Sequence, residues 1–595
     1  MIEAVMTLHR YATSWRSVLF AVATCIASCQ AFDWQASHSV AVLGNYLYIH
    51  GGRTTRQVAG QDAGWSPENT TWAIPIDRSW SVGSGSFEKY AIEDPDFVST
   101  ARPAMWPDPS GTRMYTWGGA SIDEKANRNS NEPRLTTFVR ESNTSAGGKW
   151  ERGRDKPKAS SGQELIHRTH LGSWTSCNGL GFYMGGYLFT ATDNSTELWG
   201  TKKRTLPGLL IYDMKDGTWT NQTADAFGQG ARRGTHLDGY AVCLPTLGTK
   251  NQGIVVLTAG RQATVNNDGD SEPVPMDRVT FYDIGTRTWH TQKTTGVQTP
   301  SQGRRRGCAV AATDATSRDR TGAYEIFMFG GLGLTPADLW VLTVPGFRWF
   351  QAPPTGLPPT ARSSLDCAVA GRAQRQMIAV GGDDENKSAA DAWDRPDDWP
   401  RNMQVLDLTS LEWSGDYAAD APPYRPPAMV ADWNRDGGLA GVQWEDPSTR
   451  ALFADVLDGR PGDGQQGRSP PSAGGAPTDS SGSAETGGTD VAAIAGGVAG
   501  GVGAVLVAAA AGFYFCWYRP RRRRVGEPAV EDVGGPGRGQ WHQAPEVVQD
   551  VQRPQKYQGG LKDMAGSPVA QAELESSCTP PVHELDMYTR RHELA

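Results

Sequence analysis

Short runs of large hydrophobic residues that end in glycine recur along the first part of the chain. The first run is YLYIHGG, Tyr46 to Gly52. Similar runs lie at Arg113–Gly119, Gly181–Gly186, Ile254–Gly260, Glu325–Gly331 and Gln376–Gly382. Tyr and Ile favour strands because their bulk packs on a pleated surface. Glycine has no Cβ and adopts backbone angles closed to other residues. The pattern therefore predicts strands that each end in a sharp turn or a close backbone contact.

A second apolar strand and then a tryptophan follow each glycine run. These segments are Thr70–Trp80, Gly208–Trp219, Arg278–Trp289, Asp338–Trp349 and Met403–Trp413, with a looser version at Arg134–Phe138 and Trp150. Another short strand precedes the glycines, with HSVA at His38, YAVC at Tyr240 and CAVA at Cys308 and Cys367. Turn-forming residues such as Lys215–Gly217 separate the strands. Each unit is thus predicted to be a four-stranded sheet, which buries both faces only when units pack together around an axis.

The order of apolar strand, glycine pair, second strand and terminal tryptophan resembles the kelch repeat. The resemblance covers about Ala36 to Asp420 in about six units. It implies an all-β propeller in which the glycines end the second strand and the tryptophans pack between blades. The glycines it marks are Gly51, Gly52, Gly118, Gly119, Gly185, Gly186, Gly260, Gly330, Gly331, Gly381 and Gly382. The tryptophans it marks are Trp80, Trp150, Trp219, Trp289, Trp349 and Trp413.

The number of blades stays open between six and seven. Ala421–Asp458 contains AMVADW and ALFADVLD, which fit either strands of a partial seventh blade or packing on the propeller exit. At the other end of the domain, FDWQ at Phe32–Gln35 is expected to close the ring by pairing with the last blade, since closure removes sheet edges.

Two further apolar segments predict the topology of the chain. Arg10 and Arg16 precede the apolar run Ser17–Ser28, and small residues follow, as in a secretory signal cleaved near Ala31. The alternative, an uncut signal anchor, is disfavoured because the apolar run is short for a membrane span. Val491–Trp517 carries no charge, and the arginines of Tyr518–Arg524 follow it, as on the cytoplasmic side of a span. We therefore expect a type I single-pass protein of the plasma membrane or another secretory-pathway membrane.

The domain plan follows from these segments. The expected parts are a signal peptide at 1–31, a propeller ectodomain at 32–458, a Gly/Pro/Ser/Thr-rich stalk at 459–490, a transmembrane helix at 491–518 and a disordered cytoplasmic tail at 519–595. The glycine pairs Gly496 with Gly500 and Gly497 with Gly501 permit a helix-mediated dimer.

N-glycosylation sequons agree with this plan, because all of them precede the predicted span. They begin at Asn69, Asn143, Asn194, Asn221 and Asn386. Several fall in loops between predicted strands, where a glycan must lie.

Composition excludes one class of partner. The net charge is −8 and the ectodomain shows no basic stripe interleaved with aromatic residues, so nucleic-acid binding has no support. Gly 70 and Trp 21 are high counts, and the repeat itself accounts for both.

The cysteines and histidines give no reactive site in the sequence. Cys177, Cys243, Cys308 and Cys367 face an oxidising compartment, which makes disulfides an option. Residues at equivalent repeat positions are expected not to converge, so the interpretation leans to buried reduced thiols, with a Cys308–Cys367 bridge as the alternative. His167 and His170 are the close histidine pair, but i and i+3 on a strand face opposite sides, so no shared metal ligation is expected.

The expected function is non-catalytic binding, adhesion or scaffolding at the cell surface, with no cofactor, metal or catalytic residue. An unknown protein or glycan ligand is expected to contact the loops Gly52–Thr70, Ser121–Arg134 and Asp383–Arg401, the last of which contains Trp393 and Trp399. Asp383–Glu385 and Arg304–Arg306 are expected to be exposed loops rather than a metal cage and an anion site.

The alternative function is an extracellular metal-dependent oxidase. It rests on the related propeller of the galactose oxidase type, which needs two His and two Tyr ligands, one Tyr linked to a Cys. No arrangement in this sequence matches that ligand set, so no ligand is assigned.

Overall fold

The computed structural model describes residues 34–458, with gaps. The gaps are 56–65, 85–86, 94–98, 123–132, 155–156, 161–164, 194–195, 197–202, 228–233, 265–270, 315–322, 333–337, 354–359 and 385–396. The predicted signal peptide, stalk, transmembrane helix and tail lie outside the described residues. Within the described ranges, no helix has both the length and the apolar character needed to cross a membrane.

Six antiparallel sheets, here called sheets 1 to 6, each hold four successive strands. Their strands are Ser39–Leu43, Tyr46–His50, Thr70–Pro75 and Tyr90–Glu93 in sheet 1; Ala104–Pro107, Arg113–Trp117, Thr136–Arg140 and Gly148–Arg152 in sheet 2; Ser173–Cys177, Leu180–Met184, Leu209–Asp213 and Thr218–Gln222 in sheet 3; Tyr240–Leu244, Ile254–Thr258, Arg278–Asp283 and Thr288–Lys293 in sheet 4; Cys308–Thr313, Tyr324–Phe329, Leu339–Val344 and Arg348–Gln351 in sheet 5; and Asp366–Ala370, Gln376–Val380, Met403–Asp407 and Glu412–Ser414 in sheet 6. Thr295–Gly296 adds a parallel edge strand to sheet 5.

The sheets form a closed, propeller-like ring. The first strand of each sheet contacts the first strands of the sheets before and after it, and the first strand of sheet 6 contacts that of sheet 1. Apolar side chains fill the space between neighbouring sheets, as where Ile49 of sheet 1 and Ile378 of sheet 6 share one core cluster. The second strands read as continuous apolar runs because both of their faces are covered: every residue of Ile254–Thr258 is buried.

The glycine pairs join each sheet to the next. All eleven glycines of the repeat have φ between 65° and 134°. The last glycine of five of the six runs donates its N–H to a carbonyl of the segment that precedes the first strand of the next sheet. These bonds are Gly52 to Thr100 (2.9 Å), Gly119 to Thr169 (2.9 Å), Gly260 to Arg304 (2.6 Å), Gly331 to Arg362 (2.7 Å) and Gly382 to Gln35 (2.9 Å). The end of the ring that carries these glycines is called the glycine face below.

Short accessory sheets cover the glycine face. In each of them, the segment that follows the second strand of a sheet pairs with the segment before the first strand, with the segment before the third strand, or with both. They are Trp34–Ala36 with Arg53–Thr55 and Ser66–Pro67; Thr100–Ala101 with Ala120–Ser121; Tyr187–Leu188 with Arg204–Thr205; Gly234–Leu237 with Arg261–Thr264 and Ser271–Pro273; and Arg362–Ser363 with Asp383–Asp384.

Five of the six repeat tryptophans stand on fourth strands and pack on the preceding sheet. Trp150 stacks on His50 at 4.3 Å and Trp413 lies 4.6 Å from Phe329, measured between ring centroids. Trp80 differs, because the fourth strand of sheet 1 is Tyr90–Glu93. Trp80 lies on the separate strand Trp80–Ser81, which pairs with Asp416–Tyr417 after sheet 6 and helps to close the ring.

The segment that follows sheet 6 is helical and forms no seventh blade among its described residues. Its helices are Ala428–Arg435, Pro447–Ala451 and Ala454–Leu457, with a 3₁₀ turn at Gly438–Gly441. The prolines of APPYRPPA remove backbone donors that a sheet ladder needs. We call Asp416–Asp458 the belt. The belt runs along the end of sheets 6 and 5 opposite the glycine face, where Tyr424 N donates to Ala373 O at 2.9 Å, and then along the edge of sheet 4.

The expected pairing of the N-terminal segment with the last blade is wrong. Trp34–Ala36 pairs with Arg53–Thr55 in the accessory sheet of sheet 1. The Gln35 carbonyl nevertheless joins this segment to sheet 6, since Gln35 O accepts hydrogen bonds from Gly382 N at 2.9 Å and from Asn402 Nδ2 at 3.2 Å.

Two disulfides join neighbouring sheets, so the interpretation of reduced thiols is wrong. Cys177 is bonded to Cys243 and Cys308 to Cys367, with Cα–Cα distances of 5.5 and 5.8 Å. First strands of successive sheets are direct neighbours around the axis. Equivalent positions on them therefore come close enough to bridge.

Removing the Cys308–Cys367 bridge is expected to lower the free energy of unfolding by about 2–4 kcal/mol, because the bridge restricts the unfolded chain. The double variant Cys308→Ser, Cys367→Ser and the wild-type chain would be compared by guanidinium unfolding. Non-reducing peptide mapping provides the control, with both bridged peptide pairs expected from the wild type. Unbridged, alkylatable thiols at these positions would contradict the assignment.

A cationic cluster at the propeller axis

A collar of left-handed residues surrounds the axis on the glycine face. Each lies two residues before a first strand, and all have positive φ: Ser37 (56°), Arg102 (52°), Leu171 (62°), Asp238 (58°), Arg306 (59°) and Ser364 (56°). Backbone hydrogen bonds link five of the six successive pairs. They run from Arg102 N to Ser37 O (2.7 Å), Asp238 N to Leu171 O (2.8 Å), Arg306 N to Asp238 O (3.0 Å), Ser364 N to Arg306 O (2.6 Å) and Ser37 N to Ser364 O (2.8 Å). The collar thus fixes its side chains around the axis.

Asp238 is the buried carboxylate of this collar. Its Oδ2 accepts a hydrogen bond from Arg261 Nη2 at 3.0 Å, and its Oδ1 lies 3.8 Å from Arg306 Nε. Burial would raise the pKa of Asp238, but the guanidinium groups of Arg306, Arg261, Arg102 and Arg305 outweigh it and hold that pKa below its usual value. Four guanidinium groups therefore act on one ionised carboxylate.

Arg102 is the collar cation with a free donor. Its Nη1 is buried and has no hydrogen-bond partner among the described residues. Burial lowers the pKa of Arg102, while Asp366 and Asp238 raise it and Arg306 lowers it further. A guanidinium group keeps its charge in proteins. Arg102 is therefore a fixed cation near the axis that lacks a directly bonded anion.

Two buried histidines lie near Arg102. Nδ1 of His170 has no hydrogen-bond partner among the described residues, whereas His38 faces the backbone of Val380. Burial and the charge of neighbouring arginines lower the pKa of each histidine to about 3, so both are neutral at physiological pH. We call His38, Arg102, His170, Asp238, Arg261 and Arg306 the axial cluster. Its polar donors and excess positive charge can hold an anionic group.

Comparison with known proteins gives one curated relative and a likeness to solved structures. A kelch repeat-containing protein of Arthroderma benhamiae is 25% identical over 420 residues, which are 64% of this chain and 57% of the relative. The chain is thus similar to a kelch-repeat protein. It spans about 57% of the relative's length. The solved structure of YjhT is similar with a TM-score of 0.40 and 11% identity, over 64% of this chain and 97% of that one. No protein-family model matches the chain.

Arg304 and Arg362 stand at one repeat position, four residues before the first strands of sheets 5 and 6. Both side chains are fully buried. Each donates from Nη1 to a carbonyl of its own glycine pair, Arg304 to Gly330 at 3.2 Å and Arg362 to Gly382 at 3.3 Å. The expectation that Arg304–Arg306 is a solvated loop is therefore wrong. Arg304 is ion-paired with Asp338 at 2.6 Å, and Arg306 belongs to the axial cluster.

The long loops predicted to bind a ligand are only partly described. Arg53 and Asp383, from the first and third of them, form an ion pair at 3.5 Å that joins sheets 1 and 6 on the glycine face. Trp399 is 1% exposed and lies under the Arg362 guanidinium at 4.2 Å, so it is a core residue rather than a contact residue. Asp384 is buried in a strand, so the expectation of an exposed acidic loop is wrong there. Glu385 and Trp393 lie outside the described residues.

The remaining predicted residues have the following places. Asn69, Asn143 and Asn221 are exposed, and Asn194 and Asn386 lie outside the described residues. His167 bonds Asp193 at 2.9 Å, whereas His170 belongs to the axial cluster. Within the described part of the chain, no three His, Cys, Asp or Glu side chains are grouped so that they could hold a metal.

Sequence reasoning missed Arg102 and Asp238. The signal for them was present but indirect, since both stand two residues before a first strand. Aligning the repeats on those strands, rather than on the glycines, places Arg102, Asp238 and Arg306 at one repeat position that faces the axis.

Proposed function

We propose that this protein is a non-catalytic, single-pass cell-surface kelch-repeat protein whose six-bladed propeller binds a ligand on its glycine face. The position of the belt carries this proposal. The belt occupies the opposite end of sheets 6 and 5, and Leu452 O near its end accepts from Gly248 N, in a turn at that same end, at 3.3 Å. This occupation of the opposite end favours the glycine face as the binding end. The inter-sheet disulfides fit an oxidising compartment.

Topology is tested with the full chain tagged at its C-terminus. We expect a membrane-impermeant biotin reagent to label it on intact cells, N-glycosidase to lower its mass, and antibody to reach the tag only after permeabilisation. Asn143→Gln should remove the mass of one glycan, and Thr258→Val, at a buried threonine outside every sequon, is the control. An unlabelled chain, or a tag exposed on intact cells, would overturn the surface assignment.

The oxidase alternative is not proposed, because the axial cluster disfavours a metal cation. Its guanidinium groups repel a divalent ion in the place where a ring-lining site would form. We expect the purified full chain to contain less than stoichiometric copper or iron and to release no peroxide from sugar or alcohol substrates. Elemental analysis and a peroxide-release screen check this. Stoichiometric copper together with peroxide release would contradict it.

A further inference from the structure

We propose that the axial cluster is a binding site for one anionic group, a carboxylate, sulfate or phosphate, carried by the ligand of this protein. The inference rests on the proposed binding function of the glycine face and adds the chemistry of the ligand. The ligand group would lie at Arg102, with Arg306 and the neutral imidazole of His170 beside it.

The charge balance of the cluster is the first argument. Arg306, Arg261, Arg102 and Arg305 all act on Asp238, and Lys203 is also coupled to Arg306 and Asp238. Arg304 and Arg362 of this face are each ion-paired with one aspartate, Asp338 and Asp397. Four guanidinium groups thus act on Asp238, and Arg102 is also coupled to the carboxylate of Asp366, so cationic side chains are concentrated at this position.

Buried polar atoms without a hydrogen-bond partner are the second argument. Arg102 Nη1 and His170 Nδ1 are buried without a partner among the described residues. Buried polar groups in native proteins are nearly always hydrogen-bonded, and an exception calls for a specific explanation. A planar guanidinium matches a carboxylate or phosphate in a two-bond geometry. One anionic group would satisfy the free arginine donor and offset the excess charge together.

Preorganisation is the third argument. Arg102, Asp238 and Arg306 have left-handed backbone angles that cost free energy in residues other than glycine. The hydrogen bonds of the collar hold those angles without a ligand. The cluster is therefore positioned before binding, which is what an anion site with fixed donors needs.

Calorimetric titration of the purified full chain with acetate, glucuronate, sulfate and inorganic phosphate in low-chloride buffer tests the site. We expect at least one of these anions to bind with one-to-one stoichiometry and to be displaced by added chloride. Arg102→Gln should weaken that affinity at least tenfold. Arg78→Gln is the matched control, since Arg78 is an exposed arginine paired with Glu88 at 3.4 Å and lies outside the cluster. It should leave the affinity unchanged.

The outcomes distinguish a carboxylate ligand from a sulfate or phosphate ligand, and they test the anion site separately from the proposed surface function. Preference for acetate and glucuronate would indicate a carboxylate ligand, and preference for sulfate and phosphate an ester group. Wild-type protein that binds none of the four anions overturns this inference whether or not Arg102→Gln folds. Equal affinity in wild type and folded Arg102→Gln overturns it as well. Anion binding by a chain that is not at the cell surface would instead overturn the surface function alone.

Discussion

Lowering the pH from 7.5 to 5 is expected to destabilise the propeller by on the order of 6 kcal/mol. Burial is the main cause that lowers the pKa of His38, His50 and His170 to about 3 and that of His236 to about 4. In the unfolded chain the same groups titrate near 6.5, so they take up protons on unfolding. Their stabilising contribution is complete above pH 6.5 and is lost as the pH falls toward 3. Each histidine then costs about 2 kcal/mol at pH 5.

The packing of these rings explains why they stay neutral. His236 donates from Nε2 to Ala259 O at 2.8 Å, so its Nδ1 must accept, and it lies 2.9 Å from Ser173 Oγ. His50 stacks on Trp150 between sheets 1 and 2. A proton on His236 would remove its acceptor at Nδ1, and a proton on His50 would bury a charge between the two sheets. Asp366 has the opposite effect on stability, because burial raises its pKa to about 6. Its protonation adds about 1 kcal/mol to the free energy of unfolding as the pH falls from 7.5 to 5.

Urea unfolding of the full chain at pH 7.5, 6 and 5 measures this dependence. His50→Gln should reduce the slope of unfolding free energy with pH by about one proton. The control is Thr218→Gln, an exposed strand position with no titratable side chain, and it should leave the slope unchanged. A free energy of unfolding that is constant between pH 7.5 and 5 would refute the expectation.

Replacing Gly52 with alanine is expected to lower the free energy of unfolding by roughly 3–5 kcal/mol. Gly52 has φ +80°, and a Cβ there would lie 2.5 Å from Ala36 O and 2.6 Å from His38 N. Both are backbone atoms of the segment that joins sheets 1 and 6, and hydrogen bonds hold that segment in place, so they cannot move aside. The substitution would also disturb the hydrogen bond from Gly52 N to Thr100 O, which joins sheets 1 and 2.

Gly437→Ala is the matched control for the backbone angle. Gly437 has φ +82°, but a Cβ there would meet nothing within 4 Å. Its replacement should cost only about 1 kcal/mol, the price of the left-handed angle itself. Chemical unfolding of the two variants and the wild type separates the steric contribution from the angular one. Equal losses in both variants would show that close approach between sheets is not the reason for glycine at position 52.

The placement of Arg102 shows how far the sequence could indicate the site. Its neighbours in the chain, Ala101 and Pro103, suggest only a turn before a strand. The residues that act on its charge, Asp238, Arg306 and Asp366, come from three other sheets. These residues are far apart in the sequence, and only closure of the ring brings them close together. The same closure explains the disulfides, which join strands that are equivalent by rotation and adjacent in space.

The sequence by itself determined the repeat, because its signals are local. Strand periodicity, the glycine pairs and five of the six tryptophans act within one sheet or against a neighbouring one, and each is visible in a short window of sequence. The tertiary structure alone decided the helical belt, the role of Trp80, the bridged cysteines and the axial cluster. Each of these depends on contacts between residues far apart in the chain, whose strength comes from burial and charge that no short window contains.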